Sequence, residues 1–203
     1  MKYNEKNIII DNVLSEEEIQ SIYYHINESK NKNNMEKYNQ ELKDFFLPES
    51  IKLKITNYCK EISNSDNLIL TEYQFCRYRK YLKEDNVMGN PNLTPHFDDS
   101  FKEPRFTFDY QINGNIVWPI IVEGEEFLLK NNQALTFSGT HQIHWRPMLN
   151  FSDDEFLDMI FFHFTDEGSE QVSDNHFDLM NKKRKEFKKG IQNNTIITKK
   201  DMV

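Results

Sequence analysis

The 203-residue sequence predicts a mainly β domain with flanking helices, an antiparallel sandwich or barrel with helices packed on one face. Three observations point there. Two early segments carry apolar residues at helical spacing; from about Leu68 the period changes to alternation; and the chain then runs through about seven or eight short strand-like segments divided by glycine and asparagine turns.

The elements follow in order. Ile8–Ile10 is a short apolar run that stops at Asp11-Asn12, which reads as a strand. Ser15 with Glu18 makes a capping box, and Ile19, Ile22, Tyr23 and Ile26 behind it form the apolar stripe of a helix ending near Asn31. Residues 31–40, "NKNNMEKYNQ", are a polar loop. Pro48 and Glu49 open a second helix with Ile51, Ile55, Tyr58 and Ile62 on one face. The segment "LILTEYQFCRYRKY" alternates and is rich in β-branched and aromatic residues, so it is a strand that breaks in the Asn/Gly/Pro-rich loop 84–93. Further strands are expected over 106–112, 116–122, 126–129, 134–137 and 157–164, with "NGN", "EGE" and "SGT" as turns. "DNHFDLMNKKRKEFKKG" is a final helix. Residues 1–190 are therefore expected to form one domain and residues 191–203 a flexible C-terminal tail.

Composition narrows the partners. A formal charge of -8 disfavours general attraction to nucleic-acid phosphates or anionic lipid, and the basic run "KKRKEFKK" reads as a solvated helix face. A small molecule or a protein is the expected partner, with no membrane and no nucleic acid. No segment has the roughly 20 apolar residues of a membrane span or the run of a signal peptide. Two cysteines, Cys59 and Cys76, make no disulfide framework, which suggests a reducing, cytoplasmic setting.

The chemistry sits among the histidines. Of six, His25 and His176 fall in expected helices, where surface or half-buried roles are usual; His96, His141, His144 and His163 fall in the strand-rich half. In an extended chain, residues two apart project to the same side, so His96 and Asp98 in "TPHFDDSF" can chelate one ion with Phe97 turned away. Imidazole plus carboxylate suits Fe(II), Mn(II) or Zn(II), and a second histidine completes a facial triad that leaves positions open. In "SGTHQIHWRPM", 48 residues beyond His96, His144 and Arg146 share a face while His141 points the other way; one of the two histidines supplies the third ligand. His163, in an apolar strand, reads as a core histidine.

The order of these motifs resembles the Fe(II)- and 2-oxoglutarate-dependent oxygenases. "IIIDNVLSEEEIQSI" is similar to the strand and helix that open the prolyl-hydroxylase-like members, "CRYRKY" and "RFTFDYQING" to the strands before and after their His-x-Asp, and "WPI", "SGTHQIHWRP" and "DMIFFHFTDEG" to a subgroup of small single-domain members. The resemblance covers about residues 8–167. It implies a double-stranded β-helix, or jelly roll, with the N-terminal helices packed on the larger sheet. It further implies that Fe(II) is bound by His96, Asp98 and His144, chosen over His141 for its five-residue step from Gly139. The cosubstrates it implies are 2-oxoglutarate and molecular oxygen, and the reaction is hydroxylation of an amino-acid, peptide or small-metabolite substrate, with succinate and carbon dioxide as by-products.

One departure stands out. Members commonly carry a lysine or arginine on the strand after the distal histidine to pair with the far carboxylate of 2-oxoglutarate, yet no lysine or arginine occurs between Arg146 and Lys182. Arg146 is the candidate for that role, with Tyr78 and Tyr110 as phenol donors and Arg105 facing the prime substrate; for each, packing or surface roles are the plainer alternatives. The missing cation motivates a second expectation, a cupin-like metal enzyme that does not use 2-oxoglutarate. A non-enzymatic jelly-roll binding module is a third.

Overall fold

A computed structural model describes residues 7–30, 41–42, 45–80, 93–98, 106–168 and 174–192. Along the chain these form β1 (Ile8–Ile10), α1 (Glu16–Lys30), β2 (Glu41–Leu42), α2 (Glu49–Ser63), β3 (Leu68–Arg79), β4 (Leu93–His96), β5 (Phe106–Gly114), β6 (Ile120–Val122), β7 (Glu125–Phe127), β8 (Gln133–Phe137), β9 (His144–Arg146), β10 (Phe156–Asp166) and α3 (Asp174–Gln192). The loop expected over 84–93 falls almost wholly outside the described residues, as does the tail beyond 192.

The helices start and stop where local chemistry says they should. At α1 the Ser15 N–H donates to Glu18 Oε2 at 2.7 Å and the Glu18 N–H to Ser15 Oγ at 3.2 Å, the reciprocal bonds of a capping box. Helix α2 follows Pro48 and ends at Asn64, whose left-handed backbone (φ 53°) lets the Ser65 N–H reach back to the Lys60 carbonyl at 3.1 Å. Their apolar stripes, Ile22 and Ile26 on α1 and Ile51, Ile55 and Cys59 on α2, are buried against one face of a six-stranded sheet. A fully buried side chain of this size contributes about 1.5–3 kcal/mol, so a handful suffices to dock each helix.

The strands make two antiparallel sheets, one ordered β1-β8-β5-β10-β3-β2 and one ordered β4-β9-β6-β7. Hairpin β6–β7 turns through Glu123 and Gly124, both at positive φ (52° and 82°), the twist-matched two-residue turn of tight hairpins. Strand β6 is shorter than the sequence suggests because Pro119 has no N–H for a ladder and Trp118 is held aside, its indole N–H donating to the Pro147 carbonyl at 2.7 Å. Strand β4 contains Pro95 and lies at a sheet edge, where a missing donor is tolerated.

Alternation gives the larger sheet two faces. On β5, Phe106, Phe108, Tyr110 and Ile112 join the helix-side core, while Thr107 and Asp109 point into the space between the sheets; on β10, Ile160, Phe162 and Phe164 face the helices. Between the sheets, Cys76, Tyr78, Trp118, Leu135, Phe137, Leu157 and Met159 form a second cluster. A third lies outside the smaller sheet, where Phe97, Ile121, Ile143 and Trp145 pack against Met180 and Phe187 of α3. The final helix thus covers the smaller sheet, and α1 and α2 cover the larger one.

A buried ionic network pins α1 to the sheet. Arg77 donates two bonds of 2.7 Å to Asp158, and the Tyr23 hydroxyl donates a third, also 2.7 Å. Asp158 is fully buried, so its carboxylate is structural.

Candidate metal centre

His96 ends β4 and sits directly opposite His144 in the β4–β9 register, which is why residues 48 apart in sequence place their rings 4.2 Å apart. The chain leaves β4 through buried Phe97, and the Asp98 N–H donates to the Gly139 carbonyl at 3.0 Å. One donor atom each from His96, Asp98 and His144 then falls within 4.8 Å of the others. His96 Nδ1 lies 2.9 Å from the Thr94 carbonyl and His144 Nδ1 3.1 Å from the Gln142 carbonyl. Those contacts assign the ring proton to Nδ1 in both, leaving each Nε2 lone pair turned toward Asp98 Oδ1, at 4.0 Å and 3.5 Å.

Donors held about 2.0–2.2 Å from an ion at right angles lie about 3 Å apart, so the three atoms need close by only about one to two ångströms. The donor set, two neutral imidazoles and one carboxylate with a backbone carbonyl behind each ring, fits a divalent transition metal.

Electrostatics favours the ligating forms of Asp98 and His96 and works against that of His144. Burial works to raise the Asp98 carboxyl, but His144, His163 and His96 outweigh it and hold it well below the usual carboxylate range. His96, partly exposed at the rim, is pushed down to about 4 by desolvation and by the His144 ring. For His144, desolvation is overcome by Asp98, and its affinity for a proton rises.

The cavity at this centre has a volume of about 130 Å³ and is also lined by Gln74, Tyr78, Thr107, Asp109, Phe161 and His163. A far larger groove, about 1020 Å³ between α2 and β3, is lined by Phe46, Lys52, Leu53 and Ile69 among others and contains no histidine. The donors are in the smaller space, and that is where the chemistry is placed.

Of the other residues singled out in the sequence, Tyr78 lines the cavity, its ring edge-on to Trp118 at 4.9 Å. Arg146 is 2% exposed, lies over the Trp118 ring at 5.2 Å and donates to the Trp118 carbonyl at 2.7 Å. Tyr110 requires correction. Strand alternation turns it to the helix side with Phe106 and Phe108, where its hydroxyl donates to Asn132 Oδ1 at 3.0 Å, so the β5 residues that face the cavity are Thr107 and Asp109. His141 lies outside the converging set, its Nδ1 near Ser138 Oγ (3.2 Å) and Thr140 Oγ1 (3.0 Å). Arg105 and the His176 side chain lie outside the described residues.

Asp109 was not anticipated. It is 4% exposed, and burial raises its carboxyl to about 7, with Arg146 and His144 pulling the other way. A carboxyl that binds its proton more tightly when folded costs the protein stability as pH rises from its unfolded value near 4 towards 7. His96, whose folded value is lowered, contributes the opposite slope over part of that window. Asp109→Asn isolates the first effect. The stability gained by Asp109→Asn over the metal-free parent should be small at pH 4 and grow to a few kcal/mol by pH 8, at about 1.4 kcal/mol for each tenfold difference in proton affinity between folded and unfolded chain. Urea unfolding across that range measures it, and a pH-independent difference would contradict the placement of Asp109.

Neither a family model nor a curated protein matches the sequence. In structure, the chain is similar to the non-heme α-ketoglutarate-dependent epimerase SnoN from nogalamycin biosynthesis (TM-score 0.65, 11% identity, 82% of this chain and 81% of that one). It is also similar to the collagen prolyl hydroxylase of Paramecium Bursaria Chlorella virus-1 (0.53, 16%, 81% and 90%) and to HygX from Streptomyces hygroscopicus (0.58, 9%, 80% and 83%), a structure with nickel and 2-oxoglutarate bound. The fold is that of the iron- and 2-oxoglutarate-dependent oxygenases. Two sheets forming a double-stranded β-helix, with α1 and α2 on the larger, match what the motifs implied. Within this jelly roll, His96 ends one edge strand, Asp98 follows it and His144 begins the neighbouring one, all three lining the same cavity. No helix among the described residues is long and apolar enough to cross a membrane.

Proposed function

We propose that this chain is an Fe(II)- and 2-oxoglutarate-dependent oxygenase, with His96, Asp98 and His144 as metal ligands and an amino-acid, peptide or small-metabolite substrate. The observation that carries the reading is the convergence of two imidazole Nε2 atoms and one carboxylate oxygen on a common point in a double-stranded β-helix. An ion held by His96, Asp98 and His144 would keep positions open for further ligands, the chemistry a 2-oxoglutarate-dependent oxygenase needs. When bound, the iron and cosubstrate supply the oxidising power for C–H cleavage; the protein's part is placement, charge and the exclusion of water.

Arg146 is assigned to the far carboxylate of 2-oxoglutarate. It shares the inward face of β9 with His144, and among the described residues no carboxylate lies within ion-pairing distance of it. Burial alone lowers its affinity for its proton, a cost that a bidentate anion offsets. The Tyr78 hydroxyl, buried beside it and held protonated by desolvation, is assigned as a further donor. Tyr110 has no part in this assignment. The similar structures span both substrate kinds, a nogalamycin-pathway epimerase and a collagen hydroxylase, so a small molecule and a peptide both fit. Two buried cysteines outside any disulfide, Cys59 and Cys76, suit a reducing cytoplasm.

Because β10 carries no lysine or arginine, a cupin-like metal enzyme that does without 2-oxoglutarate is the reading to be excluded. Succinate release separates them. Wild type with Fe(II), oxygen and 2-oxoglutarate should form succinate even without prime substrate, and His144→Ala should form none; equal background from both proteins contradicts the assignment.

A further inference from the structure

His163 faces a different oxygen of Asp98 from the one the proposed ligands share. His144 and His96 stand on the Oδ1 side at 3.5 Å and 4.0 Å, whereas His163 Nε2 is 3.8 Å from Oδ2, the oxygen to which the Thr107 hydroxyl donates at 3.2 Å. Its nitrogens lie outside the set of donor atoms that converge within 4.8 Å. His163 is therefore placed to act on Asp98 and not on the ion.

Two features of the sheet aim it there. His163 and Thr107 are directly opposite one another in the β10–β5 register, so the two groups at Oδ2 are cross-strand neighbours on the inward face. On the other flank, β10 pairs with β3 through a bulge: His163 opposes Glu72, Phe164 opposes Leu70, and Thr71 is the extra residue. The Thr71 hydroxyl donates to the His163 carbonyl at 2.9 Å and holds the bulge. A bulge bends its strand and redirects side chains, and such features gather next to active sites. An imidazole only 9% exposed and flanked by Phe162 and Phe164 also costs desolvation, which a polar partner offsets.

We infer that His163 is a positioning residue for the proposed metal centre: with Thr107 it engages Asp98 Oδ2 through its Nε2–H, so that the carboxylate offers the ion Oδ1 alone. The inference rests on His96, Asp98 and His144 being metal ligands. A one-oxygen Asp98 keeps open the position that a second carboxylate oxygen would take. At 3.8 Å the contact is longer than a hydrogen bond, and its tightening on metal binding is a readout in its own right.

Co(II) is the probe, titrated into wild type, His163→Leu and His163→Gln, with binding and the visible d–d spectrum followed together. Glutamine presents an amide N–H where the imidazole has Nε2. His163→Leu should weaken Co(II) by about 10–100-fold and alter the spectrum, while His163→Gln restores most of the affinity and the parental bands. A His163→Leu protein that binds Co(II) like wild type overturns the inference, as does a folded His163→Gln protein no better than a folded His163→Leu. Should the leucine variant not fold, the wild-type Zn(II) protein decides: its two-bond ¹H–¹⁵N imidazole spectrum must show the His163 proton on Nε2, and a proton on Nδ1 alone overturns the claim. A wild type that binds no Co(II) removes the metal centre itself and this inference with it; tight binding unaffected by His163→Leu removes this inference only.

Discussion

Alanine at Gly139 is expected to strip the protein of its metal while leaving the fold standing. A Cβ there would lie 1.8 Å from Asp98 Oδ2, 2.8 Å from Asp98 Cγ and 2.5 Å from Thr107 Oγ1. Gly139 is not among the glycines at positive φ, so alanine meets no backbone strain and the effect is steric alone. The carboxylate has to move, yet Asp98 is tethered by its own N–H to the Gly139 carbonyl, so the side chain must rotate away from Thr107 and both ligand rings. Overpacking of this kind costs about 1–3 kcal/mol, or a few degrees in melting temperature for a chain of this length. Metal affinity should fall further, by more than the roughly 100-fold upper range seen when an outer hydrogen-bond partner is lost, because the proposed ligand Asp98 is itself displaced. Anaerobic equilibrium dialysis with Fe(II) and far-UV circular dichroism together report it. Wild-type affinity in Gly139→Ala would mean that Asp98 is not a ligand.

The second large effect is on the cosubstrate. Arg146→Leu should bind Fe(II) as the parent does and lose about one to two powers of ten in affinity for 2-oxoglutarate, the value of one charge-assisted contact at about 1.5–3 kcal/mol. The change removes the cost of burying a cation but also the bond to the Trp118 carbonyl and the volume of the guanidinium, so thermal stability has to be measured beside the affinities. Leucine ends short of the guanidinium, which lies over the Trp118 ring at 5.2 Å and 3.8 Å from the Met159 sulfur, so those two contacts are lost with the charge. Lysine restores charge but not the two-pronged grip, so Arg146→Lys should fall between. Calorimetry under nitrogen, with metal affinity measured in parallel, separates this from a folding defect: equal losses of iron and 2-oxoglutarate would contradict the role given to Arg146.

What the sequence made legible was whatever its signals encode locally. The capping box at Ser15 and Glu18, the apolar stripes of α1 and α2, and the "EGE" turn all depend on residues within a few positions of one another, and they appear where expected. The clustering of His96 and Asp98 on one side was legible because two-residue spacing in an extended chain fixes a shared side whatever the rest of the chain does.

The remainder depended on which side of a strand meets what. Strand β5 is buried on both faces, so alternation divides it into Phe106-Phe108-Tyr110 and Thr107-Asp109 without saying which set meets the cavity. Two apolar helices on the larger sheet settle that, and they settle it against Tyr110. The aromatic run on one parity was the available clue. His163 offered less, since its neighbours on β10 are apolar on both parities and the bulge that aims it is a property of the pairing with β3. Gly139 was read as a turn former; its structural reason is the approach of Asp98, 41 positions earlier in the chain.

The most direct measurement is a titration of 2-oxoglutarate into the Fe(II)-loaded wild-type protein under nitrogen, followed by visible absorption and by iron content. One iron per chain, lost in His96→Ala, and a charge-transfer band that saturates at one equivalent of 2-oxoglutarate are expected. A wild type that retains no iron, or one that retains iron at these residues yet develops no band at saturating 2-oxoglutarate, would contradict the assignment.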